Sequence, residues 1–546
     1  MNSVNALEQR NGRLLLLIAL ALLLMLTGVA IISRPITPID ETRYLGVAWE
    51  MWLRGDFLVP YKNGEPYSHK PPLMMWMFHA GWWAFGVNAW WPRLVSPLFS
   101  AGALLLTYRL ARRLWPRREG LGGRAVVVLM SCLVWAILST WIMFDVMLAF
   151  FALVSLHGVL DAAEGKRLRG FGLMGLGLGL GLLTKGPAML LHVLPVAVLA
   201  PWWRPGLRWA SWYGGVFLAI LYGAVIVLLW AIPAGHAGGV EYQHAIFWGQ
   251  TADRMVESFA HQRPVWWYLV LLPALLFPWF VWPCLWRGMS QYVRHHLDEG
   301  GRFCIAWALP VFVVFSLISG KQVHYLLPLF PAFALLVARV VAGGRRDEKR
   351  GSELALPLLI IALLGVGLLL VGTGHIPLDI VSLPAPSLIA GGGVLIASSV
   401  ITYLWHRRSP RSLVMLGLAG ASVPVVVQLA TAPFIYPTYD VRPIAQAIRQ
   451  IQDKGGWVAH AGKYHDQYHF FGRLQKPLTA MPVEELSAWL LHHPQVWVVM
   501  YIRDTRLLAA HQAVITQPFR GKTAVLVDAA TAQSLLTRLQ ALPPSD

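Results

Sequence analysis

The chain has 546 residues, of which 56% are hydrophobic and only 13% are charged, and its mean hydropathy is +0.54. A soluble globular protein has about twice that charged fraction. The formal net charge of +18 does not indicate nucleic-acid binding, because the basic residues lie in short loops between apolar segments and form no patch on one domain. The composition therefore excludes a soluble protein and indicates one that spans a membrane.

Apolar segments long enough to cross a hydrocarbon core of about 30 Å recur along the chain. The first could be taken for a signal peptide, but no small-residue cleavage site follows it, so we interpret it as a retained helix. We predict thirteen spans, near 13–33, 92–111, 124–143, 145–161, 170–184, 187–203, 209–232, 266–286, 303–319, 322–342, 355–373, 387–405 and 412–433.

Arginine and lysine are concentrated in alternate loops, which predicts the orientation of the chain. The rich loops lie near 112–124, 166–169, 204–208, 287–302, 345–350 and 407–411, and the short loops between them hold almost none. Cytoplasmic loops carry the excess of basic residues. We therefore predict a bacterial inner-membrane protein with a cytoplasmic N-terminus and, after thirteen crossings, a periplasmic C-terminus.

Three polar segments fall on the predicted outer side: the loops 34–91 and 233–265, and the tail from residue 434 onward. The tail predicts helices and strands in alternation, at 441–452, 457–460, 483–492, 496–501, 514–517, 523–527 and 531–539. We predict a transmembrane domain over 1–433 and a periplasmic α/β domain over 434–546. The fold class is therefore a polytopic α-helical membrane protein with a C-terminal α/β domain.

The first outer loop carries two adjacent acids, Asp40 and Glu41, directly after the first span. A carboxylate near the membrane surface can deprotonate an acceptor or hold a cation. The alternative is that Asp40 caps the amphipathic helix that follows. The two interpretations are compatible, because a capping aspartate can also face a site.

Further along this loop, Lys70 precedes two prolines that fix the backbone. An ammonium group held in this way suits a phosphate or pyrophosphate. The alternative is a surface lysine whose head reaches the lipid head groups.

Asp145 lies at the outer tip of a tight hairpin between two predicted spans. A carboxylate at membrane depth is costly and indicates function by default, although Asp145 could instead cap the following helix. Lys185, in another tight outer turn, is either structural or the ion partner of Asp145.

Several other outer turns carry basic or polar residues that could bind an anionic substrate. Taken singly, each is typical of an interfacial anchor. If they converge in the folded bundle, they predict a site for a substrate with a phosphate group. These candidates are Arg254, His261, Arg263, Lys321, His324 and Tyr325.

These features resemble the bacterial membrane glycosyltransferases of the C-type (GT-C) superfamily, in particular the aminoarabinose transferases that modify lipid A. A more distant similarity is to the protein O-mannosyltransferases. The resemblance covers essentially the full length. It rests on the thirteen spans, the acidic pair, the Lys70-Pro-Pro-Leu73 segment, the Leu183-Thr-Lys-Gly-Pro187 turn, the Lys321-X-X-His324-Tyr325 turn and the outer α/β tail.

The resemblance implies a sugar donor on undecaprenyl phosphate and an acceptor in the periplasm, such as lipid A or another glycolipid. It implies that Asp40 is the essential carboxylate and that Asp145 is a second important acid. It also implies that the carrier phosphate is held by Lys70, by Arg254 or Arg263, and by Tyr325.

One departure concerns the residues before Lys70, which are Ser68 and His69 where the related enzymes commonly carry Phe-Glu. If that glutamate recognises an amino sugar or a metal, neither property carries over to this chain. The residues themselves require no metal, and a divalent cation stays open as a cofactor. The sequence does not specify the oligomeric state.

The chemistry fits a single base. A departing phosphate monoester needs no protonated acid if cations stabilise it, whereas glycoside hydrolysis normally uses two carboxylates. Direct displacement would invert the anomeric centre. The alternatives are a protein O-glycosyltransferase, an enzyme that decorates O-antigen or teichoic acid, or a lipid or sugar transporter. Against a transporter stand the long outer loops, the α/β tail and the lack of paired broken helices in two matching halves.

Overall fold

A computed structural model describes residues 2–118, 120–249, 262–295, 297–343, 353–378, 381, 384–406, 412–503, 508 and 515–540, and for 2–10 and 540 it describes the backbone only. The chain divides into two compact units. The first consists of residues 1–32, 68–74 and 88–431. The second consists of residues 33–67, 75–87 and 432–546. Helices dominate the chain, and a sheet lies in its C-terminal part, as the predicted fold class requires.

The helices up to residue 439 are joined mostly by short turns. Two irregular helices accompany them, a π-helical turn Ala245–Gly249 and a 3-10 helix Val323–Leu329. The α-helices are α1 Asn2–Ser33, α2 Asp40–Arg54, α3 Leu73–Phe85, α4 Trp90–Leu114, α5 Leu121–Ser131, α6 Leu133–Leu138, α7 Phe144–Ala163, α8 Arg167–Lys185, α9 Ala188–Val198, α10 Ala200–Trp203, α11 Trp209–Gly238, α12 Val240–His244, α13 Trp267–Leu275, α14 Pro283–His295, α15 Glu299–Leu317, α16 Phe330–Gly343, α17 Ala355–Gly372, α18 Pro386–His406 and α19 Ser412–Tyr439.

Within the described residues, nine helices are long and apolar enough to cross a membrane, against the thirteen spans that we predict. The other four predicted segments coincide with helices that are broken, short or rich in glycine. The segment 124–143 is split at Cys132, whose backbone is extended. The segment 266–286 is interrupted between α13 and α14, where Pro278 and Pro283 lack the N–H that a helix requires.

The remaining two segments differ from the prediction for other reasons. The segment 187–203 divides into the short helices α9 and α10. The segment 170–184 is one continuous helix, α8, but its glycines and its basic first turn lower its hydropathy. Short and broken helices are tolerated at membrane depth where other helices or a cavity surround them.

Helices α7 and α8 form a closely packed antiparallel hairpin because glycines line their interface. A Cβ on Gly170 would lie 2.3 Å from the backbone nitrogen of Ala162, and one on Gly158 would lie 2.4 Å from that of Met174. Small residues allow helix backbones to approach closely in membranes. This packing brings the first turn of α7 and the last turn of α8 to the same end of the hairpin.

The second unit contains α2, most of α3, a small hairpin and a five-stranded sheet. The hairpin pairs β1 Tyr61–Lys62 with β2 Glu65–Pro66. The sheet strands are β3 Val458–Ala461, β4 Thr479–Met481, β5 Trp497–Ile502, β6 Ile515–Phe519 and β7 Lys522–Asp528, in the order β4-β3-β5-β7-β6. The pairs β3–β4 and β3–β5 are parallel, whereas β5–β7 and β6–β7 are antiparallel.

Helices cover both faces of this sheet, so its strands contribute alternate residues to two cores. On one face Val499 and Leu526 pack with Ile444 and Ile448 of α20, which spans Arg442–Asp453. On the other face strand residues such as Val498 pack against α22, Val483–Leu491, and α23, Ala529–Gln540. A short helix, α21 His469–Gly472, follows β3. The predicted α/β character of the tail is confirmed.

Candidate functional site

The predicted site residues fall into two groups, one in each compact unit. Asp40 and Glu41 belong to the second unit, whereas Lys70, Asp145, Arg263, Lys321, His324 and Tyr325 belong to the first. The other two predicted residues, Arg254 and His261, lie outside the residues that the structure describes. We therefore describe the two groups in turn.

Asp40 is the first residue of α2, and its side chain is 49% exposed. The residue before the helix is Ile39, and no side chain caps the first turn. The carboxylate of Asp40 instead pairs with the guanidinium of Arg43 one turn later. The alternative that Asp40 is a helix cap is thus wrong. Its carboxylate is accessible and can still accept a proton.

Glu41, next along the chain, is buried and therefore differs from Asp40. Its Oε2 atom accepts hydrogen bonds from the guanidinium of Arg34 and from the backbone N–H of Thr37, the latter at 2.8 Å. This pairing fixes the chain at the point where it enters α2. The geometry supports a positioning role for Glu41 and leaves Asp40 as the carboxylate that can face a substrate.

Asp145 lies in the first turn of α7 and is 1% exposed. The residue before α7 is Met143, and Asp145 is the second residue of the helix, so the alternative that Asp145 is a cap is also wrong. Its Oδ1 atom lies 2.5 Å from the Nζ of Lys185, which realises the ion pair considered from the sequence. Its Oδ2 atom lies 3.9 Å from the Nε2 of His324. The positive charge of Lys70 also acts on this carboxylate.

Tyr325 completes this polar cluster within the first unit. The Nζ of Lys185 lies 4.7 Å from the centre of the Tyr325 ring, which is the geometry of a cation–π contact. The structure therefore brings together five polar side chains in the apolar helical unit, namely Asp145, Lys185, His324, Tyr325 and, through its electric field, Lys70. Charged groups at such a depth are expensive and indicate a functional site.

His192 is a member of this neighbourhood that the sequence analysis missed. It is fully buried in α9, and neither of its ring nitrogens has a hydrogen-bond partner among the described residues. Both Lys185 and Asp145 act on it electrostatically. A buried polar group without a partner costs free energy unless a ligand or water satisfies it. A histidine inside an apolar segment was the signal that could have found it.

Lys321 occupies a different position from the one we expected. It is buried, and its Nζ donates hydrogen bonds to the backbone carbonyls of Arg263 and Ile318, at 2.9 and 2.5 Å. The backbone N–H of Arg263 in turn bonds to the carbonyl of Ser319. Lys321 therefore joins two chain segments, while the guanidinium of Arg263 is exposed beside Trp267.

The described residues contain one group with the composition of a metal site, and it belongs to neither predicted set. Glu50, Asp466 and His469 are all buried in the second unit, and their ligand atoms lie within 4.8 Å of one another. No sequence pattern indicates this group, because Glu50 is more than 400 residues away from the other two along the chain.

Known proteins resemble this chain in sequence. The pattern of the family described as dolichyl-phosphate-mannose-protein mannosyltransferase matches residues 40–247. An undecaprenyl phosphate-alpha-4-amino-4-deoxy-L-arabinose arabinosyl transferase 2 of Pseudomonas fluorescens is 34% identical over 338 residues, which is 60% of this chain and 59% of that protein. The enzyme with the same printed name in Sodalis glossinidius is 30% identical over 72% of this chain and 74% of its own length.

A solved structure shares the fold. ArnT from Cupriavidus metallidurans in the apo state superposes with a TM-score of 0.72, at 20% identity, over 94% of this chain and 98% of that protein. ArnT from the same organism bound to undecaprenyl phosphate gives a TM-score of 0.70 at 21% identity. The helical architecture and the C-terminal sheet domain are therefore those of a known membrane-protein fold.

Proposed function

This chain belongs to the family of the undecaprenyl phosphate-alpha-4-amino-4-deoxy-L-arabinose arabinosyl transferases, and from that premise we propose that it transfers a sugar from a polyprenyl phosphate to a lipid of the cell envelope. The names of its relatives supply the donor class, undecaprenyl phosphate bearing a sugar. The acceptor that we propose is lipid A or another envelope glycolipid. The protein is a multi-pass inner-membrane protein.

The observation that carries this proposal is the polar cluster around Asp145. It combines the ammonium groups of Lys185 and Lys70 with one buried carboxylate and two aromatic or imidazole side chains. Lysine binds phosphate as a point charge, and the low-dielectric surroundings of apolar helices strengthen that attraction. We assign the carrier phosphate to this cluster, with Lys70 and Tyr325 as its ligands.

Asp145 has a supporting role in this proposal. Because its carboxylate pairs with Lys185, it holds the ammonium at a defined position among the apolar helices. His192, whose ring nitrogens have no partner within the described residues, is available to bind a polar group of the donor. Neither role requires a proton transfer.

The reaction that follows is a direct displacement at the anomeric carbon. The bond between that carbon and the carrier phosphate breaks as a bond to the acceptor oxygen forms, which inverts the configuration. Cations stabilise the departing phosphate, so no general acid is needed. If the acceptor is a hydroxyl group, the accessible carboxylate of Asp40 receives its proton.

The test is sugar transfer by the purified protein. Undecaprenyl phosphate carrying either 4-amino-4-deoxy-L-arabinose or a neutral hexose is incubated with lipid A, and the products are measured by mass spectrometry. We expect one sugar to be added to lipid A, with inversion, and slower transfer by the Asp40→Asn variant. Absence of transfer from both donors would refute the proposal.

The match to the mannosyltransferase family over residues 40–247 supports one alternative acceptor, a protein hydroxyl. A parallel reaction with a serine- and threonine-rich peptide tests it. Sugar on the peptide and none on lipid A would establish a protein O-glycosyltransferase. Comparing transfer from the two donors also shows whether an enzyme with Ser68 and His69 at these positions prefers the amino sugar.

We further propose that the N-terminus is cytoplasmic and that the C-terminal sheet domain is periplasmic, because the arginine-rich loops alternate along the chain. A reporter active only in the periplasm should be active when fused after Asp546 and silent when fused at Arg117 or Arg346. Silence of the C-terminal fusion would overturn the thirteen-span topology.

A further inference from the structure

Three ionisable side chains converge in the interior of the second unit, and none of them has a role in the reaction that we propose. Glu50 lies on the buried face of α2, Asp466 lies in the segment after β3, and His469 begins α21. They are 5%, 0% and 2% exposed. At such burial a charged group is stable only if it is paired or bound to a metal.

The two carboxylates are arranged alike, because each accepts a backbone hydrogen bond through one of its oxygen atoms. Oε2 of Glu50 accepts the backbone N–H of Gly64 at 2.9 Å, and Oδ2 of Asp466 accepts that of Asn63 at 3.1 Å. The turn between β1 and β2 therefore holds both groups from one side. The other oxygen atoms, Oε1 and Oδ1, are buried and have no hydrogen-bond partner within the described residues.

These unpartnered oxygen atoms point towards the imidazole. The Nε2 of His469 lies 3.7 Å from Oε1 of Glu50, and its Nδ1 lies 3.8 Å from Oδ1 of Asp466. The distance between Nε2 and Oε1 of Glu50 is about that of two ligands that share a metal bonded at about 2.0–2.2 Å. Since the three ligand atoms all fall within 4.8 Å of one another, small side-chain movements suffice to complete the site.

The surroundings of His469 resemble those of a metal ligand. Its Nδ1 is hydrogen-bonded to the hydroxyl of Tyr464 at 2.8 Å, and that hydroxyl also accepts the backbone N–H of Tyr468. A metal-binding histidine usually donates its second ring N–H to such a partner, which fixes the ring and the tautomer. The nitrogen left for the metal is Nε2, on the side of Glu50.

The electrostatics agree with this assignment. Burial and the nearby Glu50 raise the pKa of Asp466 well above its usual value, and burial raises the pKa of Glu50. Burial lowers the pKa of His469 to about 3, so its imidazole is neutral at physiological pH and can act as a ligand. The guanidinium of Arg54 lies 3.7 Å from Oε2 of Glu50 and can balance one negative charge. Without a further cation, two carboxyl groups this close would share a proton.

We propose that Glu50, Asp466 and His469 bind a divalent cation of the zinc type. An imidazole with two carboxylates suits Zn²⁺, whereas Ca²⁺ and Mg²⁺ prefer oxygen ligands alone. The cation would neutralise the two acids and join α2, through Glu50, to the segment that leads into α21. Because α2 begins at Asp40, the cation would also stabilise the helix that carries the proposed base.

The first experiment measures metal binding directly. The full chain, purified in detergent with a tag that contains no histidine, is stripped with EDTA, exposed to Zn²⁺ and freed of excess metal before elemental analysis. We expect one zinc ion per chain in the wild type and none above background in Asp466→Asn. Tyr464→Phe, which removes the partner of Nδ1, should bind zinc about 10–100-fold more weakly.

The second experiment compares thermal stability with and without Zn²⁺. In the stripped protein, Asp466→Asn should be at least as stable as the wild type, because the amide still accepts from Asn63 and removes a buried acid. Added Zn²⁺ should raise the Tm of the wild type but not that of the variant, so the order reverses. Asp453→Asn, which changes an exposed acid of the same unit, should follow the wild type, and Ca²⁺ should not replace Zn²⁺.

The outcomes separate this proposal from the proposed function. If the wild type binds no more zinc than Asp466→Asn, or if Zn²⁺ shifts both Tm values equally, the site is refuted and the two acids share a proton. Glu50→Gln provides the same comparison if Asp466→Asn does not fold. Zinc binding by a protein that transfers no sugar would leave the metal site standing and refute only the transferase assignment.

Discussion

Buried acids of both compact units pair with basic side chains, as Glu41 does with Arg34 in the second unit, but one buried acid of the second unit, Asp466, differs from the others. In the first unit the two fully buried acids among the described residues, Asp145 and Asp161, each pair with a basic side chain, Lys185 in one case and Arg113 in the other. In the second unit Asp466 is equally buried, but within the described residues no lysine or arginine lies within 4 Å of it. Its nearest ionisable neighbours are another acid and a neutral histidine.

The difference follows from the surroundings of each acid. Among apolar helices a charge is poorly solvated, so a buried acid requires a counter-ion supplied by the chain. A buried acid without a counter-ion must instead take up a proton or bind a metal ion. The carboxylate of Asp40 pairs with Arg43 but is 49% exposed, and because of this accessibility we propose it as the acid that is available for chemistry.

The largest effect that we expect is the loss of turnover in Asp40→Asn. Asn preserves the shape of the side chain but cannot accept the proton of a hydroxyl acceptor. General-base assistance is typically worth about 10²–10⁴-fold in rate, so transfer should fall by that factor while expression and Tm stay unchanged. The loss should be milder if the acceptor is an ionised phosphate, which needs no base.

Asp40→Ala provides the matched comparison, because it also removes the ion pair with Arg43. That exposed pair is worth about 0–1 kcal/mol, so both variants should keep nearly the wild-type Tm. Full activity in Asp40→Asn would contradict the role of Asp40 as a base and would return chemistry to the buried acids.

Lys185→Met should produce the next largest effect, and it concerns stability. The change leaves the carboxylate of Asp145 buried without its ion partner, which costs about 3–5 kcal/mol. We expect a large drop in Tm and a loss of folded protein, as measured by size-exclusion chromatography and thermal unfolding in detergent.

The double variant Lys185→Met with Asp145→Asn sharpens this result. Removing both charges should recover much of the stability, because no buried charge then lacks a partner. Transfer activity should stay low in the double variant, since the ammonium is still missing. An unchanged Tm in the single variant would mean that Asp145 and Lys185 do not depend on each other.

The two units also differ in what their sequence could predict. Hydropathy alone located the long apolar helices of the first unit, because apolar runs leave few alternatives in a membrane. It did not locate α12 or the π-helical turn Ala245–Gly249, which lie in the predicted loop 233–265. It did not predict where helices break, as between α13 and α14, since proline marks an interruption without showing how long it is. In the second unit, alternating residues located strands such as β5 and β7 within about two residues, but not the short β4, whose pattern is too brief to detect.

For the site, prediction from sequence succeeded where two residues that are close in space both lie in tight turns. The pair Asp145–Lys185 was among the interpretations considered, because both residues lie in tight outer turns. Lys321 was assigned to substrate because a basic turn residue does not show whether its ammonium meets a ligand or backbone carbonyls. Glu50 and Asp466 were missed because only the folded chain brings them together.

Lys70→Ala should weaken binding of the carrier lipid without affecting folding. It removes one charge-assisted contact to the phosphate, worth about 1.5–3 kcal/mol, while the Asp145–Lys185 pair stays intact. We expect weaker binding of undecaprenyl phosphate by about 10–150-fold, and a partial recovery in Lys70→Arg. Unchanged affinity at normal protein levels would show that Lys70 anchors the loop at the interface.

The smallest effect that we expect concerns stability at acid pH, and it concerns a buried histidine of the second unit. His460 is buried in β3, where its ring nitrogens contact the carbonyl of Gly462 and the hydroxyl of Tyr501. Burial lowers the pKa of His460 to about 4, below the value of about 6.5 in an unfolded chain. Between those pH values the unfolded state binds the proton more tightly than the folded state does. The contribution of neutral His460 to stability is therefore complete above pH 6.5 and is lost as the pH falls towards 4.

At pH 5 this difference in pKa destabilises the fold by about 2 kcal/mol. The variant His460→Gln should avoid this loss, because Gln stays neutral and can keep both hydrogen bonds. Burial raises the pKa values of Asp466 and Glu50, and this acts in the opposite direction, since the folded state then binds protons more tightly. The test is therefore a comparison of Tm at pH 7.5 and pH 5 between variants. The wild type and His492→Gln, which changes an exposed histidine, should lose more stability than His460→Gln. Equal losses in all three proteins would show that protonation of His460 does not limit the stability of the sheet.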